Sequence, residues 1–140
     1  MNKIIIMLLC VTTAFLSCKK ESSNDIAQYP VDFYLNLNEP SNISLNAVGG
    51  VLYLSGGTKG IIIYRRSISE FNAIERNCPY DPNASCSLIQ IQSGITAIDS
   101  CCGSKFSIYD GSVINGPAAT PLYFYYTQYD DLNKTLHVYK

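Results

Sequence analysis

The sequence predicts an all-β domain of the sandwich or barrel type. Ten extended runs of residues follow one another between positions 31 and 140. Turn residues separate these runs at short spacing, which is typical of all-β domains. No stretch shows sustained helical periodicity, and no internal repeat is visible. We therefore expect strands throughout this region.

The first run, Val31 to Asn38, has the period of two that a half-buried strand requires, since every second side chain is apolar. The later runs are GVLYLS, GIIIYRRS, EFNAIERNC, SLIQIQ, ITAIDS, KFSIYD, SVING, LYFYYTQY and TLHVYK. The turns between them include SGG at 55–57, SG at 93–94 and DG at 110–111. The Asp-Gly pair is a strong hairpin signal. Arg65 and Arg66 end the third run, and we expect solvated side chains there.

The amino terminus has the features of a bacterial lipoprotein signal peptide. Lys3 precedes an apolar run from Ile4 to Phe15, and the small Ser17 stands directly before Cys18. This run is shorter than the roughly 20 residues of a membrane-spanning helix. We therefore expect a signal peptide over 1–17 and a lipid on Cys18. The alternatives are a transmembrane anchor and ordinary cleavage.

This processing would leave a tether and one domain in the cell envelope, facing the periplasm or the cell exterior. Residues 18–30 are polar and suit a flexible tether. Residues 31–140 are enough for one domain with its own core. The formal net charge is -1 and no basic stripe is visible, so we expect no nucleic-acid partner. The expected partners are the membrane, through the lipid, and an envelope protein.

Four cysteines remain after the signal-peptide Cys10 and the lipid site Cys18 are set aside. An even number outside the cytoplasm predicts two disulfides. Two of the cysteines are adjacent, and neighbouring side chains of an extended segment point to opposite faces, so these two should have different partners. The four are Cys78, Cys86, Cys101 and Cys102.

No catalytic constellation is present in the sequence. Its one histidine, His137, lies in the alternating run TLHVYK and is expected to be an ordinary strand residue. A nucleophile paired with a histidine base is therefore missing. The sequence therefore indicates no enzymatic mechanism.

The cysteines fall in the segments NCPYDPNASC and DSCCGSKF, and the chain here resembles the Rieske [2Fe-2S] domain family. That family binds its cluster with two hairpin loops of the patterns Cys-x-His and Cys-x-x-His-Gly-Ser. CPY, DSCCGSKF, YDGS and GPAATPL occur here in the corresponding order, and the resemblance covers Gly49 to Lys140. It implies an antiparallel β sandwich or barrel with a two-loop tip.

The cluster ligands implied by this resemblance are largely replaced. The two thiolate positions hold Cys78 and Asp99, and the two histidine positions hold Tyr80 and Cys102. Neutral imidazoles give a Rieske centre its raised potential, whereas tyrosine and aspartate would add hard anionic oxygens. We therefore expect no bound cluster. A bound cluster would use these four residues or, instead, the four cysteines.

The resemblance also implies disulfide pairings. Respiratory members of the family carry one extra cysteine in each loop, and these correspond here to Cys86 and Cys101, which would pair. Cys78 and Cys102 would then face each other, and we hypothesise a second disulfide between them. A structural zinc bound by all four thiolates would need adjacent ligands, which zinc sites normally avoid. A redox-active dithiol of Cys78 and Cys102 is a further alternative, although no Cys-x-x-Cys motif is present.

The expected function combines these features. We expect an envelope-anchored, cluster-free lipoprotein, stapled by disulfides, that acts as a binding or structural module. The first alternative is a Rieske-type electron-transfer protein with non-standard ligands. The second alternative is a redox-active dithiol or structural zinc protein.

Overall fold

The computed structural model describes residues 29–140. The predicted signal peptide, Cys18 and most of the predicted tether lie outside these residues, so their predictions stay open. Within residues 29–140, no helix has the length and apolar character needed to cross a membrane.

The described residues form strands at all ten predicted runs. The all-β prediction is therefore confirmed, and the alternation of exposed and more buried residues along the first strand matches the predicted faces. The strands are β1 Asp32–Asn36, β2 Val51–Leu54, β3 Ile61–Arg65, β4 Phe71–Glu75, β5 Ile89–Ser93, β6 Thr96–Asp99, β7 Lys105–Ser107, β8 Val113–Asn115, β9 Phe124–Asp130 and β10 Thr135–Tyr139.

The strands form two antiparallel sheets. The larger has six strands in the order β1-β10-β9-β4-β3-β2, and the smaller has four in the order β5-β6-β7-β8. The smaller sheet is built from the chain between β4 and β9, which themselves pair through Ala73 and Tyr125. Residues 76–123 thus leave the larger sheet, form the smaller one and return.

Strands β3 and β4 separate two apolar cores, and every residue of both strands is buried. Along β3, Ile61 and Ile63 belong to one core, whereas Ile62 belongs to the other. This division follows from the alternation of side chains across a strand. The second core lies between the sheets and includes Cys78, so it reaches the cysteine loops.

A 3-10 helix, Pro40–Asn46, is the one described element that the sequence did not predict. It is too short to show helical periodicity, and Pro40 suits its first turn.

Arg65 packs near this 3-10 helix and is buried, so the prediction of a solvated side chain was wrong. Its guanidinium donates to the carbonyl oxygens of Leu45 at 2.9 Å and Asn46 at 3.2 Å, and also to that of Ile68. The side chain therefore ties the end of the 3-10 helix to β3.

Candidate functional site

One cysteine segment is the loop that leads into the smaller sheet, and the other is a hairpin loop between two strands of that sheet. We call residues 76–88, between β4 and β5, the first loop, and residues 100–104, between β6 and β7, the second loop. In the second loop, the amide of Gly103 donates to the carbonyl of Asp99 at 2.7 Å. Gly103 has a φ of 77°, which favours glycine, and this explains the tight reversal.

A disulfide between Cys86 and Cys101 joins the two loops, with 5.4 Å between the Cα atoms. This separation is in the usual range for a disulfide. The bond is the pairing that the Rieske resemblance implied. It holds the loops together without a metal.

The structure differs from the hypothesis of a second inter-loop disulfide. Cys78 and Cys102 are unbonded, and their Sγ atoms are 3.9 Å apart. The Cys102 sulfur instead lies 3.4 Å from the Oδ2 atom of Asp99 and 3.1 Å from the Oγ atom of Ser104. The Cys102 thiol, which the predicted disulfide would have used, therefore makes polar contacts instead.

Asp99 lies at the centre of the site and is 1% exposed. Its Oδ1 atom accepts a hydrogen bond from the amide of Cys101 at 2.8 Å, which leaves Oδ2 facing the Cys102 sulfur. Cys78 is fully buried, and its amide donates to the hydroxyl of Ser87 at 3.2 Å. Hydrogen bonds of backbone amides thus hold the Asp99 carboxylate and the backbone of Cys78 in place.

Burial shapes the protonation of this site. Burial raises the pKa of the Cys78 thiol, and the nearby Asp99 carboxylate adds to the rise, while the amide of Tyr80 opposes it. Burial alone would also raise the pKa of Asp99. Hydrogen bonds from the Cys78 thiol and the Cys101 amide outweigh that cost and hold the Asp99 pKa below its ordinary value. At neutral pH the metal-free site is a carboxylate beside a buried thiol.

The structure brings together three of the predicted ligand residues. The atoms that could bind a metal ion, one each from Cys78, Asp99 and Cys102, all lie within 4.8 Å of one another. Tyr80, the fourth residue of the first predicted cluster set, has a 53% exposed side chain.

The four-cysteine set, proposed for a cluster or a zinc ion, is not assembled. The sulfurs of Cys86 and Cys101 are bonded to each other, so neither is a free thiolate. This corrects both predictions that relied on four cysteine ligands.

The one histidine lies in the larger sheet rather than in the loops. His137 is in β10, as its alternating run predicted, and its Nε2 atom is 2.7 Å from the Oδ1 atom of Asp32. Its ring stacks on that of Tyr34, with 4.1 Å between the ring centroids.

A [2Fe-2S] cluster of the Rieske type does not fit these residues. Such a cluster needs four protein ligands, two of them imidazoles on one iron. Among residues 29–140, the cysteine loops offer two free thiols and one carboxylate in a single group. Both the number of available metal ligands and their chemistry therefore disagree with a Rieske centre.

Sequence reasoning missed Glu75, which is fully buried beside the first loop. Its Oε1 atom accepts hydrogen bonds from the amides of Lys59 at 3.0 Å and Asn77 at 2.9 Å. The sequence signal that could have identified Glu75 was a charged residue at the end of a largely apolar run, β4. Glu75 therefore fixes the start of the first loop by accepting from the amide of Asn77, the residue directly before Cys78.

Comparison with known proteins gives a match in structure alone. No protein-family model matches the chain, and no curated protein is significantly similar to it. One similar solved structure is the plasma membrane Rieske protein PetC3 from the cyanobacterium Synechocystis PCC 6803, with 21% identity and a TM-score of 0.54. That match covers 70% of this chain and 93% of the other.

A second solved structure is assigned as the small subunit of an NADH-dependent nitrite reductase from Mycobacterium tuberculosis. It has 15% identity and a TM-score of 0.46, and the match covers 79% of this chain and 96% of the other. The PetC3 match and the two antiparallel sheets agree on the architecture. The protein has a Rieske-like antiparallel β fold.

Proposed function

We propose that this protein is a lipid-anchored Rieske-like module of the bacterial cell envelope that functions without an iron–sulfur cluster. In this proposal it binds an envelope protein or supports an envelope assembly. One observation supports the proposal that no cluster is bound. The group formed by Cys78, Asp99 and Cys102 offers three donors and no imidazole, and the remaining two loop cysteines are bonded to each other.

The disulfide supports a scaffold role for the tip. In Rieske domains the cluster itself connects the two loops, so a protein without it needs another connection. The Cys86–Cys101 bond spans 15 positions of sequence and makes this connection. Closing such a loop stabilises a domain by roughly 3 kcal/mol in the chain-entropy model.

The anchor is inferred from the amino-terminal sequence. Cys18 follows an apolar run and precedes the polar segment KKESSNDIAQ. An extended chain over residues 18–30 reaches at most about 45 Å, since each residue spans up to about 3.5 Å. This reach would hold the domain close to the membrane while leaving its tip free to contact a partner.

Iron and sulfide analysis of the purified domain tests the cluster-free state. We expect a colourless protein without acid-labile sulfide and without the paramagnetic signal of a reduced [2Fe-2S] centre. A Rieske protein expressed in the same cells and purified in parallel controls for cluster supply. Stoichiometric iron and sulfide would refute the proposal, and electron transfer would then become the leading function.

A further inference from the structure

We propose that the tip binds one thiolate-preferring divalent cation of the zinc class through Cys78, Asp99 and Cys102. The ligand atoms are the two Sγ atoms and the Oδ2 atom of the carboxylate. This inference rests on the proposed function, since a two-iron cluster would occupy the same residues.

The distances between the donor atoms fit a single tetrahedral ion. Two sulfurs bound to zinc at about 2.3 Å lie about 3.8 Å apart at the tetrahedral angle, and a sulfur and a carboxylate oxygen lie about 3.5 Å apart. The Sγ atoms of Cys78 and Cys102 are 3.9 Å apart, and the Cys102 sulfur is 3.4 Å from the Asp99 Oδ2 atom. Both separations that involve the Cys102 sulfur therefore match those of a tetrahedral ion, and the third, between Cys78 and Asp99, is within 4.8 Å.

The same distances do not suit a two-iron cluster in the Rieske arrangement. By resemblance, Cys78 holds a thiolate position and Cys102 a histidine position, and in Rieske centres these ligands belong to different irons. Ligands on different irons are separated by the width of the cluster. The 3.9 Å between the two sulfurs instead matches the separation expected for two ligands on one ion.

The sequence spacing also agrees with a mononuclear site. Two residues separate Asp99, at the end of β6, from Cys102 in the second loop, a spacing common in zinc-binding pairs, and the first loop supplies Cys78. A four-cysteine zinc site would need the adjacent Cys101 and Cys102 as ligands. This site does not, because Cys101 is bonded to Cys86. That disulfide also keeps the loops in place before any ion binds.

Neighbouring groups orient the ligands. The Oδ1 atom of Asp99 is held by the Cys101 amide at 2.8 Å, so Oδ2 is the oxygen that faces the Cys102 sulfur. Outer hydrogen bonds of this kind fix ligand geometry in metal sites. Cys102 is partly exposed, so water or a donor from a partner protein can complete the tetrahedron.

The charge balance of binding is simple. Both thiols lose their protons to solvent, and two thiolates and one carboxylate bind the divalent ion. The bound centre carries a charge of about -1, and no electron transfer is involved.

Titration of the domain with Zn²⁺ and with Co²⁺ tests the inference. The protein is first treated with a chelator under anaerobic conditions, and its Cys86–Cys101 bond is verified by peptide mapping. We expect one equivalent of either ion to bind. Cobalt should show the visible bands of a tetrahedral site together with sulfur-to-cobalt charge transfer.

Substitutions identify the ligands. Cys78→Ser, Cys102→Ser and Asp99→Asn should each weaken binding at least tenfold. Asp81→Asn is the matched control, because Asp81 is an exposed carboxylate of the first loop, and it should bind like the native protein. Asp99→Cys keeps a ligand and adds a third thiolate, so its charge-transfer band should be stronger than that of the native protein. Circular dichroism verifies folding of each variant.

The outcomes separate this inference from the proposed function. Absence of cobalt binding, a Cys78–Cys102 disulfide in the isolated protein, or binding that survives all three substitutions overturns the metal site and leaves the cluster-free proposal intact. Iron with stoichiometric sulfide in the isolated protein overturns both. A single zinc ion without sulfide supports both.

Discussion

Tyr125 donates its hydroxyl hydrogen to the buried carboxylate of Glu75 across 2.6 Å. The two residues lie on the paired strands β9 and β4, fifty positions apart in the sequence. Gly57 packs against both, since a Cβ atom there would collide with the carboxylate and the hydroxyl. This contact joins the returning strand β9 to the strand that leads into the first cysteine loop.

Tyr125→Phe should lower the free energy of unfolding by about 1.5 to 3 kcal/mol, because a buried carboxylate loses a strong hydrogen bond. Urea denaturation measures this change. Tyr126→Phe is the control, since Tyr126 is 66% exposed on the same strand, and its effect should stay within about 0.5 kcal/mol. Equal effects of the two substitutions would contradict the importance of this contact.

The same tyrosine predicts a dependence on alkaline pH. Burial, and then the hydrogen bond to Glu75, raise the pKa of Tyr125 in the folded protein. The raised pKa contributes stability that is present below the ordinary tyrosine pKa of about 10 and is lost as the pH rises above it. Denaturation series should therefore show the native protein and Tyr125→Phe converging in stability above pH 10. A constant difference between them from pH 7 to pH 11 would refute this.

The Cys86–Cys101 disulfide should be a main source of stability at the tip. We expect the double variant Cys86→Ser, Cys101→Ser to lose roughly 2 to 5 kcal/mol, as is usual for native disulfides in small secreted domains. Thermal and urea unfolding measure the loss. Ser100→Ala, in the exposed part of the second loop, serves as a control for local disturbance. A double variant as stable as the native protein would show that the loops need no covalent connection.

Arg65→Met should lower the free energy of unfolding by about 2 to 3 kcal/mol, because backbone carbonyls near the 3-10 helix lose their buried donor. Arg66→Met is the matched control. Arg66 forms a more exposed ion pair with Glu70 at 3.0 Å, and pairs of this kind contribute about 1 kcal/mol or less. If the two variants unfold at the same denaturant concentration, the assigned role of Arg65 is wrong.

The two thiols should differ in their reaction with an alkylating reagent. Cys102 is partly exposed, whereas Cys78 is fully buried and becomes accessible only when the structure opens. Timed alkylation of the native, metal-free protein, followed by mass spectrometry, should label Cys102 first. Labelling at equal rates would contradict the burial of Cys78. No labelling of either residue after unfolding would restore the hypothesis of a second disulfide.

The lipid anchor is tested by the Cys18→Ala variant of the full chain. Expressed with its own signal, the native protein should incorporate labelled fatty acid and partition into detergent, and the variant should do neither. Cys10→Ala controls for loss of an unrelated cysteine of the same segment and should still be labelled. Labelling that survives in Cys18→Ala would exclude this residue as the lipid site.

The sequence alone determined the positions of the ten strands and the buried faces of several of them. Alternation of apolar and polar residues is a local property, so it can be read without knowledge of the fold. The lack of a histidine in the two cysteine loops was equally readable, since the chain has one histidine and it lies in the last strand. The order of the strands was not readable, because alternation does not state which strand pairs with which.

Only the tertiary structure decided which of the four loop cysteines are bonded to each other. Cys78 and Cys102 meet because the first and second loops approach each other, and the difference between a bond and a 3.9 Å contact depends on side-chain positions that spacing does not record. Arg65 reads as a solvated strand end until the 3-10 helix packs over it. Contacts between residues distant in sequence depend on how the sheets pack, whereas strand formation depends on neighbours along the chain.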